Sequence, residues 1–482
     1  MPRTRKFAGI GVAAALMIAG AGIGVSLTQG VAKAQETCGG GNSVTTVTGT
    51  LADKATYKIQ CPAGAWNGTL FLYSHGYVTP GSNNPAQDVG DPVTGAWMLG
   101  HGFALAGSSY STTGWAIQAA LQDQISTLNV FDASFGAPKQ TVAWGHSLGG
   151  IITAGLIQDN PHLFTAALPM CGVLSGGVAT WNTALDAEFA FKQLIDPNVQ
   201  IVNITNPLAN LQEAEAAAAK AQQTPQGRAR LALVSALGDT PGWFTPLSPE
   251  PARTDYAAQE QNQFEWGSQV TFPFVFAFRA DLQAKASGNP SWNTGVNYLF
   301  DFAKSADKAE VMALYQQAHL NLVKDLLTMN AAPRVSADPS AVTYLSQNIA
   351  FNGQISIPVL TMHTTGDGLV VPENEQAYRS VVDQTGNGNL LRQTFVHRAG
   401  HCAFTPAETI TAVQTLMNRV STGKWSTIAP RTLNAEATAL GGQYNIFTSG
   451  GNVVATPPQF IRYQPAQYLR PYDLGPGLRP PF

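Results

Sequence analysis

Ser147 stands in Gly145-His146-Ser147-Leu148-Gly149-Gly150, between an apolar run over 141–144 and a second over 151–157. The first reads as a buried strand and the second as a buried helix. A serine on a sharp strand-to-helix turn is held in a strained backbone conformation. Only small residues fit two positions before and after it, and here those positions are Gly145 and Gly149. This is the setting of an acyl-transfer nucleophile. Such a serine needs a base to take its proton, an acid to orient that base, and N–H donors for the oxyanion.

The expected acid is Asp367, in Thr365-Gly366-Asp367-Gly368, a loop that follows the apolar run 357–363. A carboxylate at the end of a strand can accept a hydrogen bond from a histidine ring. Glu373, Glu375 and Asp383 are rivals, but they fall in or beside the next helical segment. The expected base is His401, in Ala399-Gly400-His401-Cys402, between the strand 393–397 and a helix that opens at Thr405-Pro406-Ala407-Glu408 with the residues of a capping box. His397 falls on the strand or at its end and is given a structural role. His146 beside the nucleophile is read as a packing residue, and His101, His162 and His319 have no supporting context. The oxyanion donors are expected from the Leu148 amide at the start of the helix and from the Tyr77 amide in His75-Gly76-Tyr77, where Gly76 lets the backbone approach.

The elements that would position these residues alternate between strand and helix. Residues 43–60 alternate apolar and polar as two antiparallel strands. Strands are predicted over 69–73, 103–106, 141–144, 164–170, 357–363 and 393–397. Helices are predicted over 115–128, 148–158, 373–382 and 405–420. This order implies a mostly parallel sheet covered on both faces. From 177 to 350 the alternation stops, and helical segments dominate, among them 185–195, 211–220, 231–237 and 308–327. That stretch is too long for a loop and reads as an inserted helical cap. Its aromatic residues Trp243, Phe244, Phe264, Trp266, Phe272, Phe274, Phe276 and Phe278 are candidates to line an apolar acyl pocket. The resulting plan is a signal segment (1–34), a first core part (35–176), the cap (177–350), a second core part (351–425) and a Pro- and Gly-rich tail (426–482) expected to wrap the surface.

The signal reading rests on Arg3, Arg5 and Lys6, an uncharged apolar stretch over 7–27, and the cleavage pattern Ala32-Lys33-Ala34. Secretion, with no stable membrane anchor after cleavage, is expected. The chain carries 27 basic and 30 acidic residues; losing Arg3, Arg5, Lys6 and Lys33 leaves 23 against 30, a net charge of −7. Nothing here offers the basic face that nucleic acid requires. The four cysteines, Cys38, Cys61, Cys171 and Cys402, favour disulfides in an exported chain. Three pairings are possible; Cys38–Cys61 would join the two N-terminal strands. With no C-x-x-C pair, no structural zinc site is expected.

The motifs His75-Gly76-Tyr77, Gly145-x-Ser147-x-Gly149, Gly366-Asp367 with Pro372, and Gly400-His401 resemble the α/β-hydrolase superfamily over about 65–180 and 350–422. The resemblance implies an eight-stranded, mostly parallel sheet with helices on both faces. It also implies a triad in the order Ser, Asp, His, and no metal or organic cofactor. It places Cys171 and Cys402 together at the carboxyl edge of the sheet, which favours a Cys171–Cys402 bridge. The cysteine after the histidine is similar to the tannase and feruloyl esterase group. That group also has a cysteine before its serine, where this chain has His146. The expectation is a secreted serine hydrolase of small or polymeric carboxylic esters, with amide or peptide cleavage by the same triad as the alternative.

Overall fold

A computed structural model describes residues 37–449 and 452–472. The signal segment, its cleavage pattern and residues 473–482 of the tail lie outside the described residues.

The sheet starts with β1 (Thr45–Thr50) and β2 (Thr56–Cys61), paired antiparallel with Thr45 opposite Cys61. It continues with β3 (Thr69–Ser74), β4 (Ala104–Ser108), β5 (Gln140–His146), β6 (Ala166–Met170), β7 (Val359–Gly366) and β8 (Leu391–Ala399). The spatial order is β1-β2-β4-β3-β5-β6-β7-β8, and β3 to β8 run parallel. Parallel strands are buried on both faces and therefore read as near-continuous apolar runs. β3, β4 and β6 are buried throughout.

Side chains alternate between the two faces. Leu70, Leu72 and Ala143 join one core, with Ile117, Phe131 and Ile151 of α2 (Ile117–Phe135) and α3 (Leu148–Asp159), whereas α1 (Pro92–Gly100) lies on the opposite face. Phe71, Tyr73, Val142 and Trp144 join that second core with Trp97 and Met98 of α1.

Between β6 and β7 the described chain is helical. It comprises α4 (Gly177–Leu194), α5 (Pro207–Gln222), α6 (Pro225–Leu237), α7 (Tyr256–Trp266), α8 (Arg279–Ala286), α9 (Tyr298–Lys304), α10 (Lys308–Gln317), α11 (Leu322–Ala331) and α12 (Pro339–Gln347). These helices bury a core of their own, including Phe189, Leu233, Tyr298 and Val311. The helix expected over 308–327 is two helices, because His319 takes a left-handed backbone (φ 56°) and Asn321 caps the second. Gly267–Thr271 and Pro273–Phe278 form two π-helical turns.

After β7 come α13 (Glu373–Gln384), β8, and α14 (Pro406–Thr422). α14 opens with the capping box: the Glu408 amide donates to Thr405 Oγ1 and the Thr405 amide to Glu408 Oε2. The tail is more than a surface wrap. It forms α15 (Pro430–Ala439), a hairpin of β9 (Ile446–Ser449) and β10 (Asn452–Ala455), and β11 (Phe460–Ile461), which pairs antiparallel with β8. The sheet thus has nine strands where eight were expected, since the tail covers the β8 edge.

Candidate active site

Ser147 directly follows β5 and caps α3 with φ 58° and ψ −124°, a conformation that costs a non-glycine residue backbone strain. The surroundings leave no room for larger neighbours. A Cβ on Gly145 would lie 2.6 Å from Gly149 O, and one on Gly149 would overlap the Ser74 carbonyl. The turn is fixed from outside by the Ser147 amide, which donates to Met170 O of β6 at 3.0 Å. His146 is bonded to the Tyr73 hydroxyl (3.1 Å), and burial, followed by the nearby His401, pushes its imidazole down to about 4. It is a neutral packing residue at ordinary pH.

Asp367 lies just past β7 and is fully buried. Its Oδ1 accepts the Leu369 and Val370 amides, each at 3.0 Å, and its Oδ2 accepts from His401 Nδ1 at 2.7 Å. With Nδ1 as the donor, Nε2 of His401 is left as the free base. Two contacts hold the β7 and β8 ends together: Gly400 N donates to Gly366 O (3.1 Å), and Thr364 Oγ1 to Gly400 O (2.8 Å). Trp266 braces the acid loop, as a Cβ on Gly368 would run into its indole. Asp367 and His401 are therefore brought into direct contact. No hydrogen bond joins Ser147 Oγ to the imidazole, whose Nε2 faces Cys402 Sγ at 3.4 Å.

The rivals are placed elsewhere. Glu375 is buried and bound to Thr361, His363 and Gln393. Asp383 is half-exposed near Arg379, and Glu373 is buried, while the carboxylate bonded to His401 is that of Asp367. His397 faces Glu250 (3.4 Å) and the Trp243 ring. His363 was missed. It is fully buried behind the acid, with Nε2 2.7 Å from Val370 O and 3.7 Å from Asp367 Oδ2. Burial alone would lower its imidazole, but the Glu375 hydrogen bond and the Glu375 and Asp367 charges raise it on balance. The only signal in the sequence was a histidine inside an otherwise apolar strand.

The loop after β3 carries Tyr77. His75 clamps it, with Nδ1 2.8 Å from Gly76 O, Nε2 3.1 Å from Ser109 O, and its ring stacked on Tyr110. Gly76 lies against Ser147: a Cβ there would sit 3.4 Å from Ser147 Cβ. The Tyr77 and Leu148 amides make no hydrogen bond to the protein among the described residues. Both residues line the same cavity as Ser147, about 180 Å³, whose wall is mostly apolar. Of the aromatic candidates, Phe272, Phe274 and Phe276 line it; Trp243, Phe244, Phe264, Trp266 and Phe278 do not. Phe278 instead stacks on Tyr77 from outside the cavity wall (5.9 Å between centroids).

Two disulfides are present, Cys38–Cys61 and Cys171–Cys402, with Cα separations of 5.2 and 5.4 Å. The second ties the end of β6, beside the serine turn, to the residue after His401. Among the described residues no group of three or more His, Cys, Asp or Glu side chains is arranged to hold a metal ion, and no helix is long and apolar enough to cross a membrane.

No protein-family model matches the chain. A comparison with characterised proteins finds o-phthalyl amidase of Xanthobacter agilis, 28% identical over 424 residues, covering 81% of this chain and 90% of that protein. Among solved structures, an esterase from Aspergillus oryzae is 13% identical with a TM-score of 0.41, covering 79% of each chain. Feruloyl esterase B from Aspergillus oryzae is 12% identical with a TM-score of 0.37, covering 79% of this chain and 82% of that one. The sheet order and the serine turn of the chain itself carry the fold assignment.

Proposed function

We propose that this chain, an α/β-hydrolase, is an exported serine hydrolase that cleaves carboxylic esters through an acyl-enzyme. The observation that carries the reading is the 2.7 Å bond from His401 Nδ1 to the buried Asp367, beside a strained serine that opens onto an apolar cavity. Ser147 Oγ attacks the acyl carbonyl, and His401 Nε2 takes its proton. Asp367 holds the ring in that tautomer and stabilises its cationic form. The tetrahedral oxyanion is met by the Tyr77 and Leu148 amides, each worth about 3 kcal/mol of barrier. The protonated His401 gives its proton to the leaving alcohol, and a water activated by His401 then releases the acid. Rotation of Ser147 Oγ from its position here toward Nε2 is part of this reading, since free enzymes often hold that contact loosely.

The cavity volume of about 180 Å³ suits a compact apolar acyl group, since a dry cavity of about 150 Å³ accepts one benzene. A second reading, amide cleavage by the same groups, is favoured by the amidase relative. Ester and amide differ in the leaving group, which the triad alone does not select. Export is supported by two disulfides and by the basic and apolar N-terminal segment. The test compares the mature protein with Ser147→Ala on p-nitrophenyl esters from acetate to palmitate and on matching p-nitroanilides. The reading expects ester turnover that falls at least 10³-fold in the variant. Comparable anilide turnover would move it to amidase. Full activity in Ser147→Ala, or no labelling of Ser147 by a fluorophosphonate, would end both.

A further inference from the structure

We infer that Tyr468, delivered by the C-terminal tail, is the partition that limits the length of acyl group the Ser147 cavity accepts. The inference rests on the acyl-hydrolase reading above. Tyr468 is 2% exposed and lies on the wall of the cavity that holds Ser147. It is equally on the wall of a second cavity, about 170 Å³, bordered by Leu174, Phe351 and Val381. One side chain therefore stands between two spaces of nearly equal volume.

Tyr468 is held at both ends. Its ring packs between Ala179 of α4 and Val371, which follows the Asp367 loop. Its hydroxyl lies among those of Ser175, Thr180 and Thr183. Thr180 and Thr183 border the first cavity and Ser175 the second, so the phenol tip marks the boundary. Ser175 and Thr180 are bonded to each other at 2.9 Å, which closes the rim around it. The backbone is pinned as well: the Tyr468 amide donates to Gln376 Oε1 of α13 at 2.9 Å. Two residues on, Arg470 pairs with Asp186 of α4 and donates to Trp292 O at 3.0 Å. A tail that only covered the surface would not need a fully buried tyrosine clamped between the inserted helices and the core. Removing the ring would join the two cavities and roughly double the space open to an acyl chain.

The consequence is quantitative. Each methylene that enters apolar space gains about fourfold in kcat/KM, from ~0.8 kcal/mol of transfer energy. The wild type should therefore fall off beyond a short or compact acyl group. Tyr468→Ala should move the optimum by four carbons or more and raise the dodecanoate-to-butyrate ratio of kcat/KM by at least tenfold, mostly through KM. Tyr468→Phe keeps the ring and should keep the wild-type chain-length profile. Tyr468→Leu, a milder truncation with an intermediate shift, serves if the alanine variant fails to fold.

All variants are compared as full mature chains, on p-nitrophenyl esters from acetate to palmitate, with melting temperatures to verify folding. A second arm measures calorimetric binding of dodecanoate to each Tyr468 variant in the Ser147→Ala background, which needs no turnover. A folded alanine or leucine variant with the wild-type chain-length profile and unchanged dodecanoate affinity would overturn the inference. Tighter dodecanoate binding without Ser147-dependent turnover would uphold the partition while the acyl-enzyme reading fails.

Discussion

Loss of the Cys171–Cys402 bridge should weaken the fold and the active site together. The bridge spans 231 residues of sequence, the whole helical insertion included. In the chain-entropy account, opening a loop of that length costs about 5 kcal/mol at 25 °C. A chain of this size has an unfolding entropy near 0.9 kcal/mol/K, from ~2.1 cal/mol/K per residue, so Tm should drop by about 6 °C. The Cys38–Cys61 bridge closes only 23 residues. The same relation gives it ~3.4 kcal/mol and about 4 °C. The two differ more in function than in stability. Cys402 directly follows His401, and Cys171 follows β6, whose Met170 carbonyl holds the Ser147 amide. A displacement of His401 by about 1 Å would cost ~100-fold in turnover. Calorimetry at one scan rate and ester kinetics on Cys171→Ala/Cys402→Ala and Cys38→Ala/Cys61→Ala test both parts. The expected pattern is the larger Tm loss and the turnover loss in the first double variant, with the second keeping turnover. A first variant that melts within 1 °C of wild type at full turnover would refute the reasoning.

Two further outcomes are expected. In Asp367→Asn the side-chain oxygen is claimed by the Leu369 and Val370 amides, so the new NH2 faces His401 Nδ1 and forces the proton onto Nε2. Turnover should fall about 10⁴-fold with Tm little changed, and a loss under tenfold on p-nitrophenyl butyrate would remove His401 from its role as base. Glu310 of α10 is buried, with one oxygen accepting from Gln263 (3.1 Å) and the other unpartnered. Burial first, then the charges of Asp307 and Glu260, push its carboxyl up from 4.5 to about 9. A raised folded-state value means its stabilising contribution is full below 4.5 and is lost as pH rises through about 9. Glu310→Gln should therefore shrink the fall in Tm between pH 6 and pH 10, and equal falls in variant and wild type would show that Glu310 is not what titrates.

The parts of this molecule legible in its sequence are those whose causes are local. The Ser147 turn needs glycine two residues away on each side, so its requirement is written in the five consecutive positions 145–149. Asp367 and His401 stand out because each sits in a short glycine-containing loop a few residues past a predicted strand, and the 2.7 Å bond joins two residues singled out separately. The capping box at Thr405 and Glu408 is equally local. The break at His319 was not legible, because a left-handed histidine leaves no pattern in composition.

Tertiary structure alone decided what stands behind and around those residues. His363 and Trp266 come from strand and insertion and meet the acid loop only when the chain is packed. Phe272, Phe274 and Phe276 line the cavity, whereas Phe278, equally aromatic, stacks on Tyr77 outside it. Tyr468 lies 321 residues from Ser147 in the sequence yet shares its cavity. The chemistry proposed for this chain depends on short turns that the sequence states directly. The shape of the cavity beside Ser147 is set by which distant side chains fill one volume, and that is fixed only by close packing.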